Sequence, residues 1–171
     1  QPENDFAPNI VVVDEQFDGS LNDYVNENIK SLKVLFQKIT IIKRENFQTH
    51  EGKDAIFFVT QNRQQGKELR QSFFCFGNGN QKHVVTCSAL KQGGATLDEL
   101  FLKSMQTFQA TSISESTANL TRHYEQAGGF SFVPPSGWQG KDMPGMKFKV
   151  WVGQPENDFA PNIVVVDEQF D

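Results

Sequence analysis

The side chains best equipped for chemistry in this 171-residue chain are three histidines, two cysteines, one turn serine and two glycine-rich loops. His50 sits in the turn sequence Thr49-His-Glu-Gly52, His83 opens an apolar run, and His123 follows a Ser/Thr-rich stretch. None has a second His or Cys at metal-ligating spacing, so a metal site would have to be assembled from distant residues. Ser136 lies in Pro134-Pro-Ser-Gly-Trp138, which is not the strained Gly-x-Ser-x-Gly elbow that presents a nucleophile. Cys75 or Cys87 would need a histidine partner, and the nearest, His83, falls in the same hairpin, where buried thiols are expected. Gly77-Asn-Gly79 lacks the helix and the Lys-Ser/Thr pair of a phosphate loop and reads as a hairpin turn. Gly93-Gly94 precedes a helix whose N-terminus could hold an anion, but Asp98 and Glu99 in its first turn oppose that. With no nucleophile, base or cofactor cradle legible, the chain is expected to be non-enzymatic and to carry no cofactor.

The cysteines pose a register question. If Phe76 pairs near His83, Cys87 faces Ser72, three residues from Cys75. The sulfurs then lie on opposite faces of the sheet. A one-residue bulge would reverse this and allow a bridge. Asn119-Leu-Thr121 fits a glycosylation sequon, relevant only in a secretory host.

Composition narrows the partners. The formal net charge is −5, with 21 acidic and 16 basic residues. There is no Lys/Arg run or basic patch, which argues against nucleic acid. No apolar stretch approaches the ~18 residues of a transmembrane helix. The remaining chemistry is that of binding. Trp138, Met143, Pro144, Met146, Phe148 and Trp151 form a soft, aromatic cluster suited to an adaptable surface. Alternation places Lys147, Lys149 and Trp151 on one face and Met146, Phe148 and Val150 on the core face. Trp138, Met143, Lys147, Lys149 and Trp151 are therefore the candidate partner surface, with Trp151 as its exposed anchor.

The elements that must position these residues follow from periodicity. Leu21, Val25, Ile29, Leu32 and Phe36 recur at helical spacing within Ser20–Phe36, and Ser20 with Asp23 resembles a capping box. Thr96-Leu-Asp-Glu99 fits that box fully and opens a second helix over Thr96–Phe108. Between the helices lie four strands, Ile39–Phe47, Ala55–Gln61, Lys67–Phe76 and His83–Leu90, separated by glycine-bearing hairpin turns. Gly129–Pro134 and Met146–Val152 are further strands. Ala110–Leu120 lacks periodicity and reads as a linker or natural terminus.

One feature overrides local patterning. Gln1–Asp18 (QPENDFAPNIVVVDEQFD) recurs without a change at Gln154–Asp171, an offset of 153 residues. Residues 1–171 are thus a single domain, a 153-residue unit with one end duplicated. Each copy carries five carboxylates and no Lys or Arg, so without one copy the unit has 16 acids against 16 bases. The copied segment contains one strand. Ile10, Val11, Val12 and Val13 in the first copy match Ile163, Val164, Val165 and Val166 in the second. Both prefer one position in one sheet, so a surplus strand is left over, free to support self-association or domain swapping. A permuted chain with overlapping ends and a fragment of a concatenated array both fit.

Read from near Ala110 and continued through the junction, the order becomes GFSFVPPSGW, PGMKFKVWV, NIVVVD, the capped helix SLNDYV, four strands and a closing helix TLDELFLKSMQTF. With Gly129-Phe130, Pro134, Gly137-Trp138, Pro144-Gly145, Asn162 with its valines and Ser20-Leu21, this resembles the PsbP-like superfamily. Members include the extrinsic PsbP protein of photosystem II, a Ran-binding nuclear import factor and bacterial chaperone-like domains. The resemblance spans almost the whole 153-residue unit, and its motifs are structural. It implies an α+β fold, an antiparallel sheet of about six or seven strands with helices packed on its faces. It also implies an extracytoplasmic setting, periplasm or thylakoid lumen, and a protein partner. PsbP proteins are associated with manganese and calcium retention, but no ligand motif here carries that over. The expected function is a non-catalytic protein-binding or assembly-support domain. The alternatives are a chaperone-like binder of an apolar segment of a secreted partner, and a metal-binding protein or enzyme whose site is scattered in sequence.

Overall fold

Residues 40–90 are rich in β-branched and aromatic side chains and are broken by glycines at tight turns, which folds them into three successive hairpins. The computed structural model describes residues 15–36, 38–64, 66–110, 121–144, 146, 148–155 and 159–165. The hairpin strands are β2 (Thr40–Gln48), β3 (Asp54–Gln64), β4 (Lys67–Asn78) and β5 (Gln81–Leu90), preceded by β1 (Glu15–Gln16) and α1 (Leu21–Leu35). After β5 come a one-turn segment α2 (Lys91–Gly94), a 3-10 turn (Ala95–Leu97) and α3 (Asp98–Gln106). Five short strands and a terminal one follow: β6 (Gln109–Ala110), β7 (His123–Glu125), β8 (Phe130–Phe132), β9 (Gln139–Lys141), β10 (Val150–Val152) and β11 (Asn162–Val165). The two-residue loop between β4 and β5 turns at Gly79 with φ of 61°, a left-handed conformation that glycine adopts without strain.

The main sheet has the order β2-β3-β4-β5-β11-β10-β9, with β1 also paired to β5, and all its pairings are antiparallel. A second sheet has the order β6-β8-β7. The chain is thus α+β, and the strand expected at Gly129–Pro134 belongs to the second sheet, where Phe130–Phe132 pairs on both sides. The expected strand Met146–Val152 is regular only over Val150–Val152. Of the expected linker, residues 111–120 lie outside the described residues, while Ala110 pairs with Phe130.

Each face of the main sheet has its own core. On one face α1 packs Tyr24, Val25 and Leu32 onto Ile56, Phe58, Phe73, Cys75 and Val84. Ser20 caps this helix: its hydroxyl accepts from the Asp23 N–H while the Asp23 carboxylate accepts from the Ser20 N–H, as the sequence predicts. On the other face α3 and the second sheet pack Phe101, Met105, Phe108, Phe130 and Phe132 onto Phe57, Phe74, Phe76, Val85 and Cys87. The capping box expected at Thr96 is not formed. The Thr96 hydroxyl donates back to the Gly93 carbonyl at 2.7 Å, and the helix begins at Asp98 without a side-chain cap. Asp98 is instead engaged by Arg70 of β4 through two hydrogen bonds of 3.0 and 2.6 Å, which pins the start of α3 to the sheet.

The β4–β5 register pairs Phe76 with His83 and Ser72 with Cys87, with no bulge. Cys75 therefore enters the α1-side core and Cys87 the α3-side core. Both are free, and burial pushes both thiols well above their ordinary pKa.

Candidate functional site: a shared strand position and an apolar cleft

The position beside β5 is where the duplicated sequence meets the sheet. β11, from the C-terminal copy, lies between β5 and β10, with Asn162 opposite Ser88, Ile163 opposite Cys87, Val164 opposite Thr86 and Val165 opposite Val85. β1, from the N-terminal copy, takes the same edge of β5 further along, with Glu15 opposite Lys82 and Gln16 opposite Gln81. Extending β11 down that edge would bring Glu168 to Lys82 and Gln169 to Gln81. Those residues are the twins of Glu15 and Gln16. The two copies thus occupy one strand position in one register, each filling a different part. Of the duplicated strand residues, Ile163 and Val164 are buried in the sheet. Ile10, Val11, Val12, Val13 and Val166 lie outside the described residues.

Each part is locked by contacts of its own. From the C-terminal copy, Ile163 enters the α3-side core, Phe159 is buried, and the Gly153 N–H donates to the Pro161 carbonyl at 2.8 Å. From the N-terminal copy, Phe17 packs on Tyr24 of α1 with ring centroids 5.4 Å apart, and its N–H donates to the Asn80 carbonyl at 2.9 Å. The buried Lys82 ammonium donates to the carbonyls of Phe17 and Gly79, tying this end to the β4–β5 turn.

A buried polar row crosses the sheet at the start of β11. Thr60, Gln71, Ser88 and Asn162 lie opposite one another across β3, β4, β5 and β11, and all four are buried. Asn62 donates to Gln71 at 2.7 Å, and Gln71 donates to Ser88 at 3.0 Å. A two-residue slip of β11 would place Val164 on this row and move Asn162 away from it. A one-residue slip would turn Ile163 out of the core. The Asn162 amide donates to the Ala160 carbonyl at 3.3 Å and not to the row, so the register is held by the burial of Ile163, which a one-residue slip would expose.

A cleft of about 260 Å³ adjoins this strand. Its apolar wall is Leu97, Trp138, Phe159 and Pro161, and Thr96, Ser136 and Gln154 supply polar groups at its rim. Trp138 is held edge-on to Phe101 at 5.7 Å, and a Cβ on Gly153 would meet its indole at 2.8 Å, so that glycine lets the ring lie flat against the backbone.

The other expected surface residues are placed differently. Trp151 is opposite Ile163 and faces the α3-side core, where it packs on Phe132 and His123 at 6.2 and 5.3 Å. It is therefore not the exposed anchor that strand alternation suggests, because the extended run breaks before Val150 and Phe148 and Trp151 join the same core. Lys149 is paired with Asp142 at 2.7 Å, Met143 is partly buried, and Lys147 lies outside the described residues. His123 sits between Trp151 and Glu125, 3.8 Å from the carboxylate. Burial holds its imidazole below the ordinary histidine pKa; Glu125 opposes this shift and Lys149 adds to it.

Sequence reasoning missed the polar row and the cleft. The row has no periodic signature, since its members come from four strands. The cleft joins Leu97 to Trp138 and Phe159, residues far apart in the chain. Among the described residues no group of three or more His, Cys, Asp and Glu side chains is placed to hold a metal, and no helix is long and apolar enough to cross a membrane. Comparisons with protein-family models, with curated proteins and with solved structures give no match.

Proposed function

We propose that this chain is a non-catalytic protein-binding or assembly-support domain of the PsbP-like type. The observation that carries the proposal is the cleft walled by Leu97, Trp138, Phe159 and Pro161. At about 260 Å³ it falls below the ~300–1,000 Å³ of small-molecule sites and suits one or two apolar side chains of a partner. An aromatic or aliphatic anchor inserted beside a fixed tryptophan is how protein interfaces concentrate their energy. The resemblance to PsbP-like domains is supported by the layer order, an antiparallel sheet with α1 on one face and α3 on the other. A chaperone-like role toward an apolar segment of a secreted partner would use the same cleft.

Selection of random peptides against the chain tests this, with counter-selection on Ser136→Trp. That exposed rim residue can block the cleft without entering the core. Enriched peptides should carry an apolar anchor, lose binding to the blocked variant and perturb NMR signals of Leu97 and Trp138. Enrichment of peptides that bind the blocked variant equally would overturn the cleft as the site.

A second reading is association between copies of the chain, favoured because both copies of the repeat contribute to one edge of β5. Light scattering across a concentration range tests it. Species growing with concentration support it, and a concentration-independent 19.3 kDa monomer refutes it.

A further inference from the structure

The slot between β5 and β10 carries an inference that goes beyond either reading. β1 is already seated on β5 in the register that β11 uses, and it is the direct continuation of Asn9–Asp14. Continued one residue at a time toward the N-terminus, it would bring Asp14 to His83, Val13 to Val84, Val12 to Val85, Val11 to Thr86, Ile10 to Cys87 and Asn9 to Ser88. From Val12 to Asn9 these are the β5 residues that β11 now faces, and each would meet the same residue type as before. We propose that this slot is a strand-binding site with two ligands within one chain, Asn162–Val165 and Asn9–Val12, and that the second displaces the first in unchanged register.

Three observations carry this. The two ligands have identical sequences, so exchange replaces each side-chain contact with its equal and leaves the polar row intact, Asn9 taking the place of Asn162 beside Ser88. The exchange has a foothold: Glu15 and Gln16 are paired with β5, and the Lys82–Phe17 contact fixes their position. Displacement can therefore proceed by breaking one residue pairing as an identical one forms, without emptying the slot. Chain continuity names the occupant, since Asp14 lies one residue from β1 of the same molecule while the strand of another molecule would have to diffuse in.

Disulfide trapping decides the matter. In an antiparallel pair, side chains directly opposite have Cβ atoms ~4.5–5.5 Å apart, close to the reach of a disulfide. Ile163→Cys therefore bridges to Cys87 on oxidation and calibrates the rate for this buried thiol. Ile10→Cys should also bridge to Cys87, within a single chain, and the bridged form should accumulate to most of the sample because every visit is trapped. Peptide mapping identifies the sulfurs, and Cys75, on the other face, should remain free. If Ile163→Cys bridges while Ile10→Cys leaves Cys87 reduced, the proposal fails. It fails equally if Ile10→Cys bridges only between chains. A second readout needs no bridge. Hydrogen exchange on the unmodified chain, with peptides extended into Gly19 or Gly153 to tell the copies apart, should show partial protection in both copies. Full protection of Asn162–Val165 with none in Asn9–Val12 would overturn the exchange.

Discussion

Truncating the isoleucine of the repeat tests the shared strand position by energetics. Ile163 is fully buried in the α3-side core opposite Cys87. In a protein with one occupant for the slot, Ile163→Ala should cost ~2–5 kcal/mol, the transfer of the lost carbons plus the cavity left behind. With two equivalent occupants the N-terminal copy supplies Ile10 instead. The loss then shrinks to that of one of two equal states, RT ln 2 or ~0.4 kcal/mol. Any intrinsic preference for the C-terminal copy adds to that figure. Ile10→Ala alone should cost ~0.4 kcal/mol or less, and the double variant should recover the full penalty. In a domain of this size each kcal/mol shifts Tm by ~2–4 °C. A mid-range double-variant penalty of ~3 kcal/mol therefore lowers Tm by ~6–12 °C, and each single variant lowers it by ~1–2 °C. Urea denaturation gives the free energies, read from the midpoint at constant slope. The signature is a strong positive coupling between residues 153 positions apart. If Ile163→Ala alone costs as much as the double variant and Ile10→Ala is silent, the reasoning is refuted.

Three other outcomes follow from the described contacts. His123 has a folded pKa below its unfolded value, so the unfolded chain binds the proton more tightly. Stability should then fall as pH drops from ~6.5 toward the folded value, with no contribution above. A pH series of urea midpoints should show that slope, and His123→Phe should flatten it; an unchanged slope contradicts the assignment. Asp98→Asn leaves the Arg70 guanidinium with a neutral partner at a site where Arg70 is largely buried, and should cost ~1.5–3 kcal/mol by the same denaturation measurement. A loss below ~0.5 kcal/mol would mean that the pair does not hold α3. Both thiols are buried and resist ionisation, so a thiol reagent should label them only as fast as the protein opens. Labelling at the rate of a free thiol would contradict the burial.

Much of the fold was legible because it is written in local pattern. The stripe Leu21-Val25-Ile29-Leu32 packs as helical spacing requires, and Ser20 caps it. The hairpin strands lie within a few residues of their expected bounds, since glycine turns punctuate them, and Cys87 faces Ser72 as the hairpin geometry predicts. Legibility failed where tertiary context overrides pattern. Trp151 follows two lysines in an alternating run, yet only Val150–Val152 is extended, and the indole turns inward onto His123 and Phe132. Phe130–Phe132 has the composition of a strand, but nothing local told which sheet it would join. Thr96 heads a sequence that fits a capping box, yet its hydroxyl is taken by Gly93 and the salt bridge from Arg70 fixes where the helix starts. The duplication was plain in the sequence. That its two copies divide one strand position between them depends on pairings to β5, which are non-local.

The meeting of β11 and β1 along β5 also has a mechanical meaning. Val165 and Glu15 belong to segments far apart in the chain, so along this edge of β5 one strand position is held by two segments that are joined through β5. A tensile load drawn between these two segments passes through β5 and is borne by interstrand hydrogen bonds. The two sides differ: β11 lies between β5 and β10, whereas β1, over its described residues, pairs with β5 alone. Under force the β1 side peels first, with Phe17 against Tyr24 and the Lys82 contact as the next restraint. Strands β2, β3 and β4 lie beyond β5 and outside that load path, so the protein yields at its duplicated segment while they stay folded.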